Sequence, residues 1–147
     1  MGQQQLLLII LVTIICGIAT VVAINTFNSA NDQANKDAVR ADLAALASSA
    51  QGYFMKPEML GGGGNSFTGF TFRSVAFPID QITDDGLHVR NANGTYHVWS
   101  VSADSIGIYG EPITELEGSV DITSLVSDSD FFSISIKKDG ITWLNTY

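Results

Sequence analysis

The chain has 147 residues, with 15 acidic and 7 basic side chains and a formal net charge of -8 at pH 7. Seven scattered cations exclude a phosphate-binding surface, which needs clustered Lys and Arg, so the isolated domain is expected to bind no nucleic acid. The single cysteine, Cys16, excludes an intramolecular disulfide and a thiolate metal cluster, and reads as a small hydrophobe at a helix contact.

Charge is absent from the first 31 residues, and the first charged side chain is Asp32. The apolar run from Leu6 to Ile24 contains thirteen Leu, Ile or Val among its nineteen residues. As a helix it reaches about 29 Å, the thickness of a bilayer's hydrocarbon core. On the insertion scale those thirteen residues favour membrane by about 4 to 8 kcal/mol. A cleaved secretory signal needs a basic start and a shorter apolar stretch; here Gln3, Gln4 and Gln5 are neutral and the run is too long. A single-pass anchor fits better, although neither flank carries the Lys and Arg excess that sets orientation.

Beyond Ile24 the sequence "NTFNSANDQANKDAVRADLAALASSAQGYFM" is rich in Ala and free of Pro. Val39, Leu43, Leu46, Ala50 and Tyr53 recur at spacings of 4, 3, 4 and 3, an apolar stripe along one helix face. Asp32, Lys36, Asp37, Arg40 and Asp42 read as the solvated face of the same helix. One continuous helix over about 3–53 is therefore expected, near 75 Å long. Its first half is apolar all round and its second half amphipathic. Gly17, Ala19 and Ala23 offer small surfaces for close helix approach.

With "QQQLLLIILVTIICGIATVVAINTF", its amphipathic continuation to about Met55 and a β-rich remainder, the chain resembles a type IV pilin or a related pilin-like filament subunit. The resemblance implies a structural subunit of an extracellular filament, first anchored in the inner membrane and then packed among identical subunits in a helical homopolymer. It implies a filament core built from Gln5, Leu6, Leu7, Leu8, Ile9, Ile10, Leu11, Ile14, Ile15, Ile18, Val21, Val22 and Ile24. It also implies a pilus assembly machinery as partner, and a prepilin peptidase acting between Gly2 and Gln3, with methylation of the new terminus. The family's usual basic leader is missing. The residue five places into the mature chain is Leu7 if that chain begins at Gln3 and Gln5 if it begins at Met1, so no carboxylate stands where the family commonly has Glu. The alternative reading is a minor pilin, a pseudopilin or another membrane-anchored β-rich domain outside the bulk filament.

"KPEMLGGGGNS" ends the helical pattern, and its four glycines read as a flexible connector. In "FTGFTFRSVAFPI", Phe67, Phe70, Phe72 and Phe77 are placed near a core. "GLHVR", "NANG" and "TYHVWSVSA" read as a hairpin turning on Asn93-Gly94, and "FFSISIKKDGITWLNTY" as a second turning on Asp139-Gly140, with Ile134, Ile136, Ile141 and Trp143 alternating. The fold class is α+β: a long N-terminal helix packed by its C-terminal half on a small antiparallel sheet. The parts are 1–27, apolar helix half; 28–55, amphipathic half; 56–66, connector; and 67–147, β domain.

No grouping of nucleophile, base and orienting residue is present, and neither catalysis nor a cofactor is expected. His88 and His97, in the two arms of one hairpin, can be imagined as metal ligands with Asp84 or Asp85, but no HxH or HExxH spacing supports this; sheet-surface histidines are the plainer reading. Asp128 and Asp130, like Asp84 and Asp85, read as turn formers rather than calcium ligands. Asn93-Gly94-Thr95 fits a glycosylation acceptor but is explained by the turn. Phe27, Tyr53 and Phe54 read as packing residues rather than elements of a conduction path.

Overall fold

The computed structural model describes residues 2–113 and 131–145. One α-helix, α1, runs over Gly2–Met55, 54 residues and so about 81 Å. Among the described residues six strands follow: β1 Gln81–Ile82, β2 His88–Arg90, β3 Gly94–Val101, β4 Ser105–Pro112, β5 Phe132–Lys137 and β6 Gly140–Asn145. They form one sheet in chain order, and each adjacent pair is antiparallel. The chain divides after Ala34 into two compact units.

Within the second unit, the expected stripe is the buried face of α1. Val39, Leu43, Leu46, Ala50 and Tyr53 are all buried, and Ala47 joins them. They share one core with Phe67, Phe70 and Phe72 and with Val89, Tyr96, Val98, Ile106, Ile108, Phe132, Ile134 and Ile136 from the strands. Alternation along β3, β4 and β5 sends every second side chain into this core. Val39 comes close to the sheet because the residues beneath it are glycines. A Cβ on Gly94 would stand 2.9 Å from Val39 Cγ2, and one on Gly110 would stand 3.0 Å from Val39 Cγ1.

The glycine run is a built structure rather than a tether. Carbonyls at the end of a helix lack intrahelical partners. Here Gly63 N–H donates to Tyr53 O at 2.8 Å, Asn65 N–H to Phe54 O at 2.8 Å and Gly64 N–H to Lys56 O at 2.9 Å. The chain folds back tightly enough that a Cβ on Gly63 would meet Ser66 O at 1.8 Å. Asn65, at φ 68°, is the one non-glycine residue with positive φ among those described. Phe67, Phe70 and Phe72 then drop into the core from irregular backbone with a single 3-10 turn at Phe72–Ser74, while Phe77 packs half-buried at its edge.

Both hairpins form, but each turns one residue earlier than expected. Arg90 pairs with Thr95, and Asn91 N–H donates to Gly94 O, so the turn centres on Ala92-Asn93. Lys137 pairs with Gly140, which centres the second turn on Lys138-Asp139. An Asn-Gly turn of type I′ needs positive φ at both central residues. Gly94 has no positive φ. Asn at the first turn position and Gly at the fourth instead follow the type I preference. Ile134 and Ile136 are buried as expected, whereas their partners on the edge strand, Trp143 and Ile141, remain 40% and 41% exposed.

Asp42 is a further departure, since it does not belong to the solvated face. Its Oδ2 accepts hydrogen bonds from Asn91 Nδ2 at 2.8 Å, Asn93 Nδ2 at 2.9 Å and Tyr96 Oη at 2.6 Å. Burial, then the bond to Asp42, raises the Tyr96 phenol far above its ordinary value and keeps it the donor. Arg40 does pair with exposed Asp37 at 2.9 Å, but its guanidinium also lies 4.4 Å above the Phe132 ring.

Two outcomes follow for the full chain in detergent micelles. Leu43→Asp or Leu46→Asp places a charge in a fully buried position and abolishes cooperative unfolding; an unchanged melting temperature would refute the helix–sheet packing. Asp42→Ala strands three donors and lowers stability by about 2 to 3 kcal/mol in urea titrations, whereas Tyr96→Phe, which removes one donor, costs about 1 kcal/mol.

Candidate functional site

The first candidate surface is the apolar half of α1. Every described residue from Gly2 to Ala30 is exposed in the single chain. Exposure is 60% at Leu6, 63% at Ile9, 54% at Ile14, 61% at Ile18 and 55% at Ile24, so no single side of the helix is covered. Cys16 and Phe27 are exposed with them; the contact expected at Cys16 and the packing expected at Phe27 are not made within one chain. By length and composition this helix can cross a membrane.

Its polar side chains are muted. Thr13 Oγ1 donates to Ile10 O at 2.8 Å, Thr20 Oγ1 to Cys16 O at 2.8 Å and Thr26 Oγ1 to Val22 O at 2.9 Å. A hydroxyl bonded back to its own helix needs no outside partner, which suits it to apolar surroundings. Gln5 lies in the same exposed stretch, as do Gly2 and Gln3.

The second candidate is a polar cluster on the sheet face opposite the core. The β2–β3 register sets His88 directly across from His97. Their ring centroids are 4.6 Å apart at 73°, and Nδ1 of one ring contacts Nδ1 of the other. His97 is 1% exposed and stacks on Tyr109 at 4.8 Å and 14°, so it is a buried histidine and not the surface one expected. Among the described residues His97 Nε2 has no hydrogen-bond partner. Asp85 stands beyond His88, its Oδ2 3.8 Å from His88 Nε2. Its other oxygen accepts from Thr83 Oγ1 and from Leu87 N–H at 2.9 Å. The Thr83 bond, then the Leu87 bond, hold this carboxyl below its usual range.

These contacts assign the tautomers. Placing the Nδ1 proton on His97 lets it donate to His88 Nδ1 and turns the His88 Nε2–H toward the Asp85 carboxylate. The reverse choice would bury an unpaired N–H at His97 Nε2 and point a bare nitrogen at a carboxylate, which is unfavourable on both counts. Burial, then the neighbouring His88, lowers His97 to about 4. Among the described residues no group of three or more His, Cys, Asp or Glu gathers as a metal site. Asp84 joins no such group, Asp85 forms the turn as expected, and Asp128 and Asp130 lie outside the described residues. Asn93, the glycosylation candidate, is half-buried with its amide donated to Asp42.

Sequence reading places His88 and His97 in the two arms of one hairpin, but their direct opposition escapes it for a definite reason. A turn centred on Asn93-Gly94 would set His88 opposite Trp99. Moving the centre back by one residue shifts the register by two and brings His97 opposite instead. Asp42 had a fainter signal: it flanks the apolar stripe three residues after Val39, while the hairpin carries an amide-rich Asn-Ala-Asn turn in need of an acceptor.

His97 gives the protein a stability signature. Its folded value lies below the ordinary 6.5 or so, and a group that binds its proton less readily when folded stabilises fully above that value. Stability is lost as pH falls from about 6.5 toward 4, by about 2 to 3 kcal/mol. Among the described residues the charged or titrating groups on neighbouring elements are His88, Asp85, Tyr109 and Glu111. Chemical denaturation across this range should show the loss in the natural chain and a flatter profile in His97→Phe; parallel profiles would contradict the assignment. Compared with known proteins, the chain matches no family model, no curated protein sequence and no solved structure.

Proposed function

We propose that the chain is a structural subunit of an extracellular, type IV pilus-like filament, polymerising through residues 6–24. The observation that carries this reading is a helix apolar on every side from Leu6 to Ile24 and uncovered within one chain. Such a surface does not persist in water. Lipid covers it in the precursor. In the filament, equally apolar helices of identical subunits replace the lipid, since about 4 to 8 kcal/mol of membrane preference must be matched there. Gly17, Ala19 and Ala23 allow those helices to approach closely. A heterologous contact repeated along a non-closing operator makes a fibre. The role is assembly, without catalysis.

The resemblance extends the proposal to processing between Gly2 and Gln3, methylation of the new terminus and export by a pilus assembly machinery. An anchored minor pilin or pseudopilin would share the same helix and differ in not building the bulk polymer.

Electron microscopy of material sheared from the producing cells, with mass spectrometry of this chain's N-terminus in that fraction, tests the reading. Filaments whose subunit retains Leu6–Ile24 are expected, and Ile14→Lys should abolish them while leaving the folded β domain detectable. Recovery only from membranes would replace the filament with an anchored domain, and loss of the apolar run would make the chain a secreted protein.

A further inference from the structure

The two histidines on the sheet are more than a packing detail. They sit on adjacent, directly hydrogen-bonded strands, so their Cα positions are fixed by the ladder rather than by a loop. His97 is further locked by burial and by its stack on Tyr109, whereas the His88 side chain keeps 26% of its surface exposed and can adjust. Both rings present the same atom, Nδ1, to a common point. In a neutral imidazole pair only one of those nitrogens carries a proton, so a lone pair is already aimed there.

One feature of the surroundings matches the outer shell of a metal site: a carboxylate on the remote side of His88, 3.8 Å from Nε2. A ligating histidine commonly turns its remote N–H to a carboxylate, which fixes the ring and raises its basicity. Asp85 stands on that side of His88, 3.8 Å from Nε2, and is itself held by Thr83 and Leu87. The arrangement therefore runs carboxylate, imidazole, shared point, imidazole.

We propose that the Nδ1 atoms of His88 and His97 form a two-imidazole chelate for a divalent transition-metal ion, with Cu²⁺ bound in preference to Zn²⁺. Imidazole suits both ions, and the general affinity order places copper above zinc. The described residues add no third protein donor, so water completes the coordination and the site is open rather than structural. Binding opens the Nδ1 contact and moves the His97 proton from Nδ1 to Nε2. Both rings stay neutral, and no net proton is released. Among the described residues the relocated N–H finds no acceptor, which keeps affinity modest. The proposal is independent of whether the chain polymerises.

The test uses the full chain without a histidine tag, in detergent micelles, titrated separately with Cu²⁺ and Zn²⁺. One Cu²⁺ per chain is expected, with an electron paramagnetic resonance spectrum showing coupling to two imidazole nitrogens. His88→Gln, at a half-exposed position that leaves the core intact, should lose that two-nitrogen signature and bind at least tenfold more weakly. Asp85→Asn should keep the two-nitrogen spectrum and weaken binding by about tenfold, acting through the orientation of His88. No saturable Cu²⁺ binding, a spectrum with fewer than two imidazole nitrogens, or binding unchanged in His88→Gln would each overturn the proposal.

Discussion

The packing of Val39, Leu43, Leu46, Ala47 and Ala50 on the sheet is the interaction on which the rest of the β domain depends. The six described strands form a meander whose edge strand β1 is only two residues long, and the apolar face of such an antiparallel sheet needs a partner. The partner is a single stretch of helix. Burying each Leu-sized side chain contributes about 1.5 to 3 kcal/mol, so a handful of positions on α1 supplies much of what a small core has. The close approach at Val39 follows from Gly94 and Gly110, and the Asp42 hydrogen bonds fix which part of the hairpin meets the helix.

The same helix solves a second problem with the opposite composition. Residues 6–24 carry no charge and have their threonine hydroxyls satisfied internally. Among the described residues they have no covered face, so apolar surroundings are what this surface calls for. Lipid meets that need without specificity; copies of the same helix meet it with shape. The proposed filament is the arrangement in which the need itself becomes the assembly force.

Much of this architecture was legible because it is periodic or compositional. The run to Ile24 and the stripe from Val39 to Tyr53 are long, and their signals accumulate over many residues. The features that were missed depend on single residues and on where two strands meet. Gly94 marks its hairpin but closes the turn instead of centring it, and that offset hid the pairing of His88 with His97. Four glycines in a row suggest freedom, yet here the absence of Cβ atoms is what lets the chain turn back and cap Tyr53, Phe54 and Lys56. By charge alone Asp42 groups with Asp37 and Arg40, although its three donors lie about fifty residues away, beyond the reach of any local pattern.

Cys16 offers the most direct probe of the central claim, because it is the only cysteine and lies within the apolar half of α1. A spin label there, compared in membranes and in sheared material, reports both surroundings and neighbours. The polymer account predicts that in sheared material the label is shielded from water-soluble relaxation agents and coupled to labels on adjacent copies. A label that is shielded only in membranes, uncoupled from other labels, and water-accessible or absent in the sheared fraction would contradict it.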